Sequence, residues 1–246
     1  MSDNTPHMDP DIEICADESS FAAVLAARVA SAAAASVAAR GRFVLAIPGG
    51  SVVSLLARGL ALPPCAAGKP NLASSDARSL GGCSRWHVFW TDERRVPLSD
   101  PQSNFRLAET ELLPKLAGAH VHPLRGSAAD YENELRPFLP LDLVLLGVGE
   151  DGHVASLFPG NPATNETQRL VAEVHDAPKP PPDRATLTFP VLNAARQVLV
   201  VASGAGKAAI VGRIFSTPGD WPAQRLSGNP RWLLDRAAAA YLKESP

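Results

Sequence analysis

Residues 141–160, LDLVLLGVGEDGHVASLFPG, begin with a continuous apolar run that is typical of a strand buried on both faces of a parallel sheet. The run breaks at Gly147 and Gly149, and Glu150, Asp151 and His153 follow. Ligands of open α/β sheets bind outside the carboxyl ends of the strands, so these polar groups are well placed for chemistry. The alternative is an ordinary strand-to-helix turn, in which Asp151 caps the next helix and His153 lies on the surface.

The composition is that of an ordinary globular protein. The chain has 246 residues, of which 46% are hydrophobic and 20% charged. This length suffices for one large α/β domain or two small ones. The net charge of −2 gives no reason to expect nucleic acid or an anionic membrane as a partner. Any anion binding must therefore come from a local cluster of Arg and Lys.

Cysteine usage and the amino-terminal sequence indicate a reduced, cytoplasmic protein. The three cysteines have scattered spacing and form no CxxC pair, which argues against a zinc site or a disulfide framework. The first twenty residues contain several acids and no Lys or Arg, unlike a targeting peptide. The Ala-rich segment 21–39 contains Arg28, Ser31 and Ser36, and we interpret it as a packed helix and not as a membrane span.

Predicted strands alternate with predicted helices along the chain. This order favours an α/β fold with a mostly parallel sheet and helices on both faces. Residues 61–84 are rich in Pro, Gly, Ala and Ser and predict a loop or insertion. Strands are predicted at 12–15, 43–47, 86–90, 121–124, 141–146, 170–174, 185–189, 197–202 and 232–234, and helices at 19–39, 103–116, 127–138, 208–215 and 235–242.

Other unusual groups follow the predicted strands. Pro48-Gly49-Gly50-Ser51 lies between a strand and a helix, an arrangement that can present backbone N–H groups to an anion. It is neither a Walker A loop nor GxGxxG, and taken alone it is better explained by a plain tight turn capped by Ser51. Asp92 and Arg94 follow the strand at 86–90, where a solvated charge run is the alternative.

These groups divide into two chemical classes. The backbone at Gly49 and Gly50, with Ser51, Arg184 and Lys207, suits a phosphate dianion. Asp92, Asp151 and His153 suit proton transfer, because His titrates near neutral pH. Ser156 lacks the turn of a nucleophile elbow, and one His with two distant Asp makes a poor metal site. The residues alone indicate an acid–base enzyme acting on a small phosphorylated metabolite.

Five motifs give the chain a specific resemblance. They are PGGS, TDERRVPLSDPQSN, LLGVGEDGHVASLFPG, PKPPPDRATLTFPVLNAAR and GAGKAAIV, and they span about residues 16–242. In this order and spacing the chain resembles the 6-phosphogluconolactonases, which are related to glucosamine-6-phosphate deaminases and sugar-phosphate isomerases. The resemblance implies a Rossmann-like, deaminase-like fold and hydrolysis of 6-phospho-D-glucono-1,5-lactone to 6-phosphogluconate, the second step of the oxidative pentose phosphate pathway.

The resemblance also implies a role for each candidate residue. His153 would be the base that activates water, and Asp151 would orient its imidazole, although Asp92 is an alternative partner. Asp92 and Arg94 would line the sugar ring and stabilise charge at the carbonyl oxygen. The phosphate would be bound by residues of the Gly-rich turn and by two cations, namely Gly49, Gly50, Ser51, Arg184 and Lys207.

One departure from the deaminases bears on the choice of reaction. Those relatives continue after the DGH motif with an Asn-Glu pair whose Glu supports ring opening, and this chain has Leu157 and Phe158 there. The difference favours the lactonase over a deaminase or isomerase. A sensor that binds sugar phosphates without catalysis is a further alternative, against which Asp151 and His153 argue.

The resemblance leads to a simple organisation of the molecule. We expect residues 1–15 to form a tail with an edge segment, and residues 16–246 to form one domain. We further expect a cytoplasmic monomer whose partner is its small-molecule substrate, with no metal, cofactor, nucleic acid or membrane.

Overall fold

A computed structural model describes residues 11–61 and 83–242 of the chain. Residues 1–10 of the predicted tail at 1–15 and most of the predicted loop at 61–84 lie outside these residues. The described part contains a seven-stranded sheet and a three-stranded sheet. The strands are β1 (Ile12–Cys15), β2 (Phe43–Ile47), β3 (Trp86–Trp90), β4 (Asp92–Arg94), β5 (His120–His122), β6 (Leu143–Gly147), β7 (Val171–Val174), β8 (Arg184–Leu187), β9 (Val198–Ala202) and β10 (Arg231–Asp235).

The large sheet has the strand order β1-β10-β9-β6-β2-β3-β5, and all of its strand pairs are parallel. From β2 the chain moves through β3 to β5 at one edge. From β6 it moves through β9 to β10 in the opposite direction. Because parallel crossovers are right-handed, these two halves place their helices on opposite faces. The order therefore reverses between the neighbouring strands β2 and β6, which confirms the predicted sheet class.

Six α-helices connect these strands in the described part of the chain. α1 begins after Asp17, which forms a capping box with Ser20, and ends at Gly41, whose φ of 74° suits glycine. Ser103 caps α3 by accepting from the Arg106 backbone N–H, and Ser127 caps α4 in a capping box with Asp130. The helices are α1 (Glu18–Arg40), α2 (Ser51–Ala61), α3 (Asn104–Glu111), α4 (Ala128–Leu135), α5 (Phe189–Ala194) and α6 (Ala208–Ser216).

The small sheet has the order β4-β8-β7, is antiparallel, and was not predicted. Residues 92–94 are therefore a strand and not a solvated charge run. The pairing sets Asp92 opposite Thr186 and Arg94 opposite Arg184. A three-residue strand with the sequence DER has no hydrophobic alternation, so its sequence contains no strand signal.

Three other expectations are wrong. No helix follows β6, so Asp151 is not a helix cap; residues 148–154 form a loop closed by a bridge between Val148 and Val154. Residues 236–242 form turns instead of a terminal helix. The predicted strand at 185–189 also begins and ends earlier, because Phe189 is the first residue of α5.

A buried carboxylate fixes β6 beside β2. Asp142 accepts a 2.8 Å hydrogen bond from the backbone N–H of Val44 on β2, and its other oxygen lies 2.7 Å from Nη2 of Arg40. The carboxylate therefore links the start of β6, the start of β2 and the end of α1. Asp142, the polar residue inside the apolar run, therefore has a structural role.

α1 is long and apolar enough to cross a membrane by length and composition, with a mean hydropathy of 1.7. Half of its most apolar window is buried, and Phe21, Leu25 and Val29 belong to the core. The apolar face is packed against α2 and the sheet, as the interpretation as a packed helix predicts.

Candidate active site

A cavity of about 330 Å³ lies at the carboxyl ends of β2 and β6, where the strand order reverses. Ligand sites of open α/β sheets occur at such positions. The cavity is lined by eight of the nine predicted site residues, which are Gly49, Gly50, Ser51, Asp92, Arg94, His153, Arg184 and Lys207. The ninth, Asp151, lies behind His153 and lines a neighbouring cavity.

Asp151 and His153 form a tight pair. Oδ1 of Asp151 lies 2.5 Å from Nδ1 of His153 and also accepts a 3.3 Å bond from the His153 backbone N–H. Burial by itself would raise the pKa of Asp151, but the hydrogen bonds and charge of His153 outweigh it and lower this pKa to about 2. The carboxylate is therefore ionised at neutral pH and can only accept hydrogen bonds. Nδ1 of His153 must carry a proton, which leaves Nε2 with the lone pair.

The glycines of the GVGEDGH motif form the loop that carries this pair. The Gly149 N–H donates to the His153 carbonyl at 2.9 Å, and the Gly152 N–H donates to the Gly149 carbonyl at 3.0 Å. Gly152 has a φ of 79°, where side chains are strained. A Cβ on Gly149 would lie only 2.0 Å from His153 Nδ1 and 2.4 Å from Asp151 Oδ1. A side chain at position 149 is thus incompatible with the pair.

Asp92 contacts different groups. Its carboxylate is buried, and Oδ2 accepts a 2.7 Å hydrogen bond from the Ser156 hydroxyl. Its negative charge also opposes the effect of burial on Arg184, whose pKa burial lowers. Ser156 is fully buried and bonded to Asp92, which agrees with the prediction that it is not a nucleophile. Asp151, and not Asp92, is therefore the partner of His153.

Arg94 lines the cavity and has one buried N–H group without a hydrogen-bond partner among the described residues. Its Nη1 donates to the Gln102 carbonyl at 2.7 Å, whereas its buried Nε has no hydrogen-bond partner among the described residues. A buried donor of this kind usually has a partner, such as water or a ligand. Arg94 therefore brings its positive charge to the cavity, while its buried Nε–H is unsatisfied within the described part of the chain.

Glu93 fixes the polar residues beside Arg94. Its buried carboxylate accepts from the backbone N–H groups of Asn104 and Phe105, both at 2.7 Å, and from the Ser103 hydroxyl at 3.0 Å. Burial raises the pKa of Glu93, and these bonds act in the opposite direction. The carboxylate thus holds the first turn of α3 against β4, which brings Asn104 to the cavity.

Asn104 explains the first glycine of the PGGS turn. Its side-chain amide donates to the Asp92 carbonyl at 2.8 Å, and a Cβ on Gly49 would lie 1.9 Å from its Oδ1 atom. Gly50 has a φ of 68°, and α2 begins at Ser51, which is exposed. The turn therefore needs both glycines, and it presents the amino terminus of an eleven-residue helix to the cavity.

Cationic side chains surround the cavity. Lys207 is the last residue of a short helical turn after β9. Burial lowers its pKa, and the charge of Lys179 lowers it further, while Glu150 and Asp151 act in the opposite direction. Arg184 is buried at the start of β8. The cations that line the cavity are Arg94, Lys179, Arg184 and Lys207.

Two residues of the cavity were missed by the sequence analysis. Lys179 lies in the proline-rich segment before β8, and its only signal was its place inside the PKPPPDR motif. Asn104 follows its helix cap and resembles an ordinary first-turn residue. Within residues 11–61 and 83–242, no group of three or more His, Cys, Asp or Glu side chains is arranged to hold a metal ion.

This arrangement combines a base with an electropositive pocket. Nε2 of His153 can accept a proton from water, and the surrounding cations can bind an anionic substrate and developing negative charge. Leu157 and Phe158, which follow the loop, are buried. The Phe158 ring lies 4.5 Å from the His153 ring between centroids, so this position supports the imidazole and supplies no acid.

Comparisons with known proteins show the family of the chain. Residues 16–234 match the family of glucosamine-6-phosphate isomerases and 6-phosphogluconolactonases. The chain is 40% identical to the human 6-phosphogluconolactonase, over 94% of this chain and 93% of that protein. It is 36% identical to the 6-phosphogluconolactonase of Mycobacterium bovis, over 96% and 99% of the two chains.

A solved structure has the same architecture. The 6-phosphogluconolactonase of Trypanosoma brucei superposes with a TM-score of 0.76 and 26% identity, covering 96% of this chain and 99% of that one. The family match covers most of the chain, and the relatives are matched over nearly their full lengths. The chain therefore belongs to the glucosamine-6-phosphate isomerase/6-phosphogluconolactonase family.

Proposed function

We propose that this protein hydrolyses 6-phospho-D-glucono-1,5-lactone to 6-phosphogluconate, the second step of the oxidative pentose phosphate pathway. The observation that carries the proposal is the Asp151–His153 pair, whose imidazole opens on a cavity lined by cations. The relatives named 6-phosphogluconolactonase, at 36% and 40% identity, support the same reaction.

His153 is the general base of the proposed mechanism. The hydrogen bond to Asp151 fixes the proton on Nδ1, so Nε2 takes a proton from water as that water attacks the lactone carbonyl carbon. The ionised Asp151 stabilises the imidazolium that forms. A lactone is an activated ester, so no covalent intermediate with the protein is needed.

The second half of the reaction returns the proton. Attack produces a tetrahedral oxyanion, which the positive charge of Arg94 at the cavity wall is suited to stabilise. The intermediate then breaks its bond to the ring oxygen, and that oxygen takes the proton from His153. The products are a hydroxyl group and a carboxylic acid, and the acid ionises and releases one proton to solvent.

Asp92 has an electrostatic role in this scheme. A carboxylate cannot stabilise an oxyanion, and Asp92 is bonded to Ser156 and faces the charge of Arg184. We therefore assign Asp92 to the cavity wall, where its carboxylate can accept hydrogen bonds from sugar hydroxyl groups. The phosphate is bound between the turn Gly49-Gly50-Ser51 and the cation Lys207.

His153→Ala tests the catalytic assignment. We expect hydrolysis of the phosphorylated lactone to fall by about 100-fold or more, because general base catalysis contributes about 10²- to 10⁴-fold. Binding of 6-phosphogluconate, measured by calorimetry, should persist, because the phosphate site does not include His153. Equal rates for the variant and the wild type, after subtraction of spontaneous hydrolysis, would exclude this role.

The same chain allows a test against the related deamination reaction. Leu157 and Phe158 are buried and apolar and cannot replace a catalytic glutamate. We expect no release of ammonia from glucosamine 6-phosphate under conditions in which the lactone is hydrolysed. Comparable rates with both substrates would contradict the assignment to the lactone.

The proposal extends to the organisation of the protein. We propose that residues 16–246 act as one domain of a cytoplasmic monomer, with residues 1–15 as a tail that adds an edge segment. In the described part, Ile12–Cys15 pairs with β10 at the edge of the sheet, which supports the latter assignment. The proposed reaction uses water as its co-substrate and no organic cofactor.

A further inference from the structure

We propose that Lys179 binds the substrate phosphate together with Lys207, and that Arg184 is a positioning residue that holds the segment carrying Lys179. This inference rests on the proposed function, because it names the groups that recognise the phosphorylated end of its substrate. It also revises the direct phosphate contact that the sequence suggests for Arg184.

The guanidinium of Arg184 is largely occupied by the protein itself. Its Nε donates to the Pro181 carbonyl at 3.0 Å, and its Nη2 donates to the carbonyls of Lys179 at 2.8 Å and Pro180 at 3.4 Å. Three successive carbonyls of the proline-rich segment thus converge on one side chain. Pro180 and Pro181 have no N–H, so this segment cannot be fixed by an ordinary strand ladder.

The other side of Arg184 is also filled. Its Nη1 lies 3.4 Å from the Ser156 hydroxyl, and its Cζ lies 5.4 Å from the centre of the Phe158 ring. A guanidinium has five N–H groups, and these contacts leave about one of them free. The fork that would bind a phosphate in a bidentate manner is therefore used for backbone carbonyls. Asp92 balances the buried positive charge.

Lys179 has the properties that Arg184 lacks. Its side chain is exposed and lines the cavity, while its carbonyl is held by Arg184. Lys179 lines the same cavity as Lys207, and its charge lowers the pKa of Lys207, although Glu150 has a larger and opposite effect. Neither lysine forms an ion pair with a carboxylate among the described residues.

Two ammonium groups at one cavity repel each other, and an anion bound between them offsets this repulsion. A phosphate dianion supplies two negative charges and several acceptor oxygens, so it matches this pair in charge. The lactone without phosphate has no group to offset the repulsion. The pair therefore provides selectivity for the phosphorylated substrate, and it contributes little to the chemistry at the carbonyl carbon.

The measured quantity is the selectivity ratio, kcat/KM for 6-phosphogluconolactone divided by kcat/KM for glucono-1,5-lactone. We expect Lys179→Met to lower this ratio by about 10- to 100-fold, as expected for the loss of a hydrogen bond between charged groups. The loss should appear in KM, and Lys179→Arg should restore most of it. Lys115→Met is the matched control, because Lys115 is exposed outside the cavity. An unchanged ratio in Lys179→Met would overturn the proposal.

Arg184→Lys tests the positioning role. It keeps the positive charge but cannot bond three carbonyls at once. We expect Arg184→Lys to lower the selectivity ratio. In the double variant with Lys179→Met, the ratio should fall no further than in the single variant that lowers it more. Losses that multiply would mean independent contacts with the phosphate, and would overturn the role given to Arg184. Lys179→Met alone still tests the phosphate contact if Arg184→Lys fails to fold.

A binding experiment separates this inference from the proposed function. If the wild type hydrolysed neither lactone, the proposed function would fail. Calorimetric titration of the same variants with 6-phosphogluconate and with gluconate would still test the lysine pair. Weakening of 6-phosphogluconate alone by Lys179→Met would support it, and equal affinities of variant and wild type would overturn it.

Discussion

At the scale of single residues, the site depends on short contacts that leave no room for substitution. The 2.5 Å contact between Asp151 and His153 fixes the tautomer of the imidazole, and Gly149 is the backbone position that allows this contact. The spacing of the GEDGH motif placed these residues together in sequence. Their distance, and the exclusion of Asp92 as the partner, required the folded loop.

Gly149→Ala should reduce lactone hydrolysis by about 100-fold, because a displacement of the base by about 1 Å costs that much. The added Cβ would meet His153 Nδ1 at 2.0 Å and would force the loop to shift. The measurement is kcat/KM, with the thermal midpoint as a check of folding.

Gly206→Ala provides a matched control for this substitution. Its added Cβ would meet only Glu150 Oε1, at an ordinary 3.6 Å. We expect activity within about threefold of the wild type, since nothing has to move. A Gly149→Ala variant as active as this control would show that the loop tolerates a side chain and that the contact argument is wrong.

At the scale of secondary-structure elements, the reversal of strand order between β2 and β6 creates the site. Each of these strands ends in a glycine-containing turn, and the two turns face the same crevice. The small antiparallel sheet then adds Asp92, Arg94 and Arg184 from the side. The sequence predicted β2 and β6 because buried parallel strands are continuous apolar runs. It did not predict β4, because that strand is short and charged.

Gly59→Ala tests the packing of the two amino-terminal helices. A Cβ on Gly59 of α2 would lie 2.0 Å from the Ala22 carbonyl oxygen and 2.9 Å from the Ala26 Cβ of α1. The helices must separate to accept it, so we expect a loss of about 1–3 kcal/mol in the free energy of unfolding. Urea denaturation measures this quantity through its midpoint at constant slope.

Arg58→Ala, on the same helix, is the control for Gly59→Ala. Arg58 forms an exposed ion pair with Glu18, with side chains 56% and 73% accessible, and its removal should cost about 0.5 kcal/mol or less. If Gly59→Ala unfolds at the same urea concentration as the control, α1 and α2 accept the added Cβ without a loss in the free energy of unfolding. The close approach of the helices would then have no energetic importance.

At the scale of the whole molecule, a net charge of −2 coexists with a cavity surrounded by four cations. The net charge of the chain therefore gave no indication of an anionic ligand. The indication comes from the cations that line the cavity. A histidine cluster lies on β3 and β5, at the edge of the sheet beyond β2, and we expect it to influence the response of the fold to acid.

His87 should make the fold less stable in acid. Burial, with the charges of His122, His120 and Arg42, lowers its pKa from 6.5 to about 4. Between these values the unfolded chain binds a proton that the folded protein does not, so stability decreases as the pH falls from 6.5 to 4. We expect this contribution to be on the order of 1–2 kcal/mol, since the side chain is only partly buried.

Urea denaturation at pH 7 and pH 4.5 measures this effect. His87→Asn should lose less stability between the two pH values than the wild type. His175→Asn is the control, and it should lose more stability between the two pH values than the wild type. Asp183 raises the pKa of His175, so protonation of this side chain favours the folded state. A His87→Asn variant with the pH dependence of the wild type would show that other groups control acid stability.

The sequence by itself determined the parallel sheet, most of its strands, and the position of Asp151 and His153 directly after one of them. These features depend on hydrophobic runs and glycines that act within a few positions along the chain. The tertiary structure alone decided which carboxylate orients His153, where Lys179 lies and what Arg184 holds. The positions of Lys179 and Arg184 depend on strand order and on the small sheet, which was not predicted. The contact between Asp151 and His153 depends on a backbone angle that only glycine adopts easily. Local periodicity contains no information about such distances.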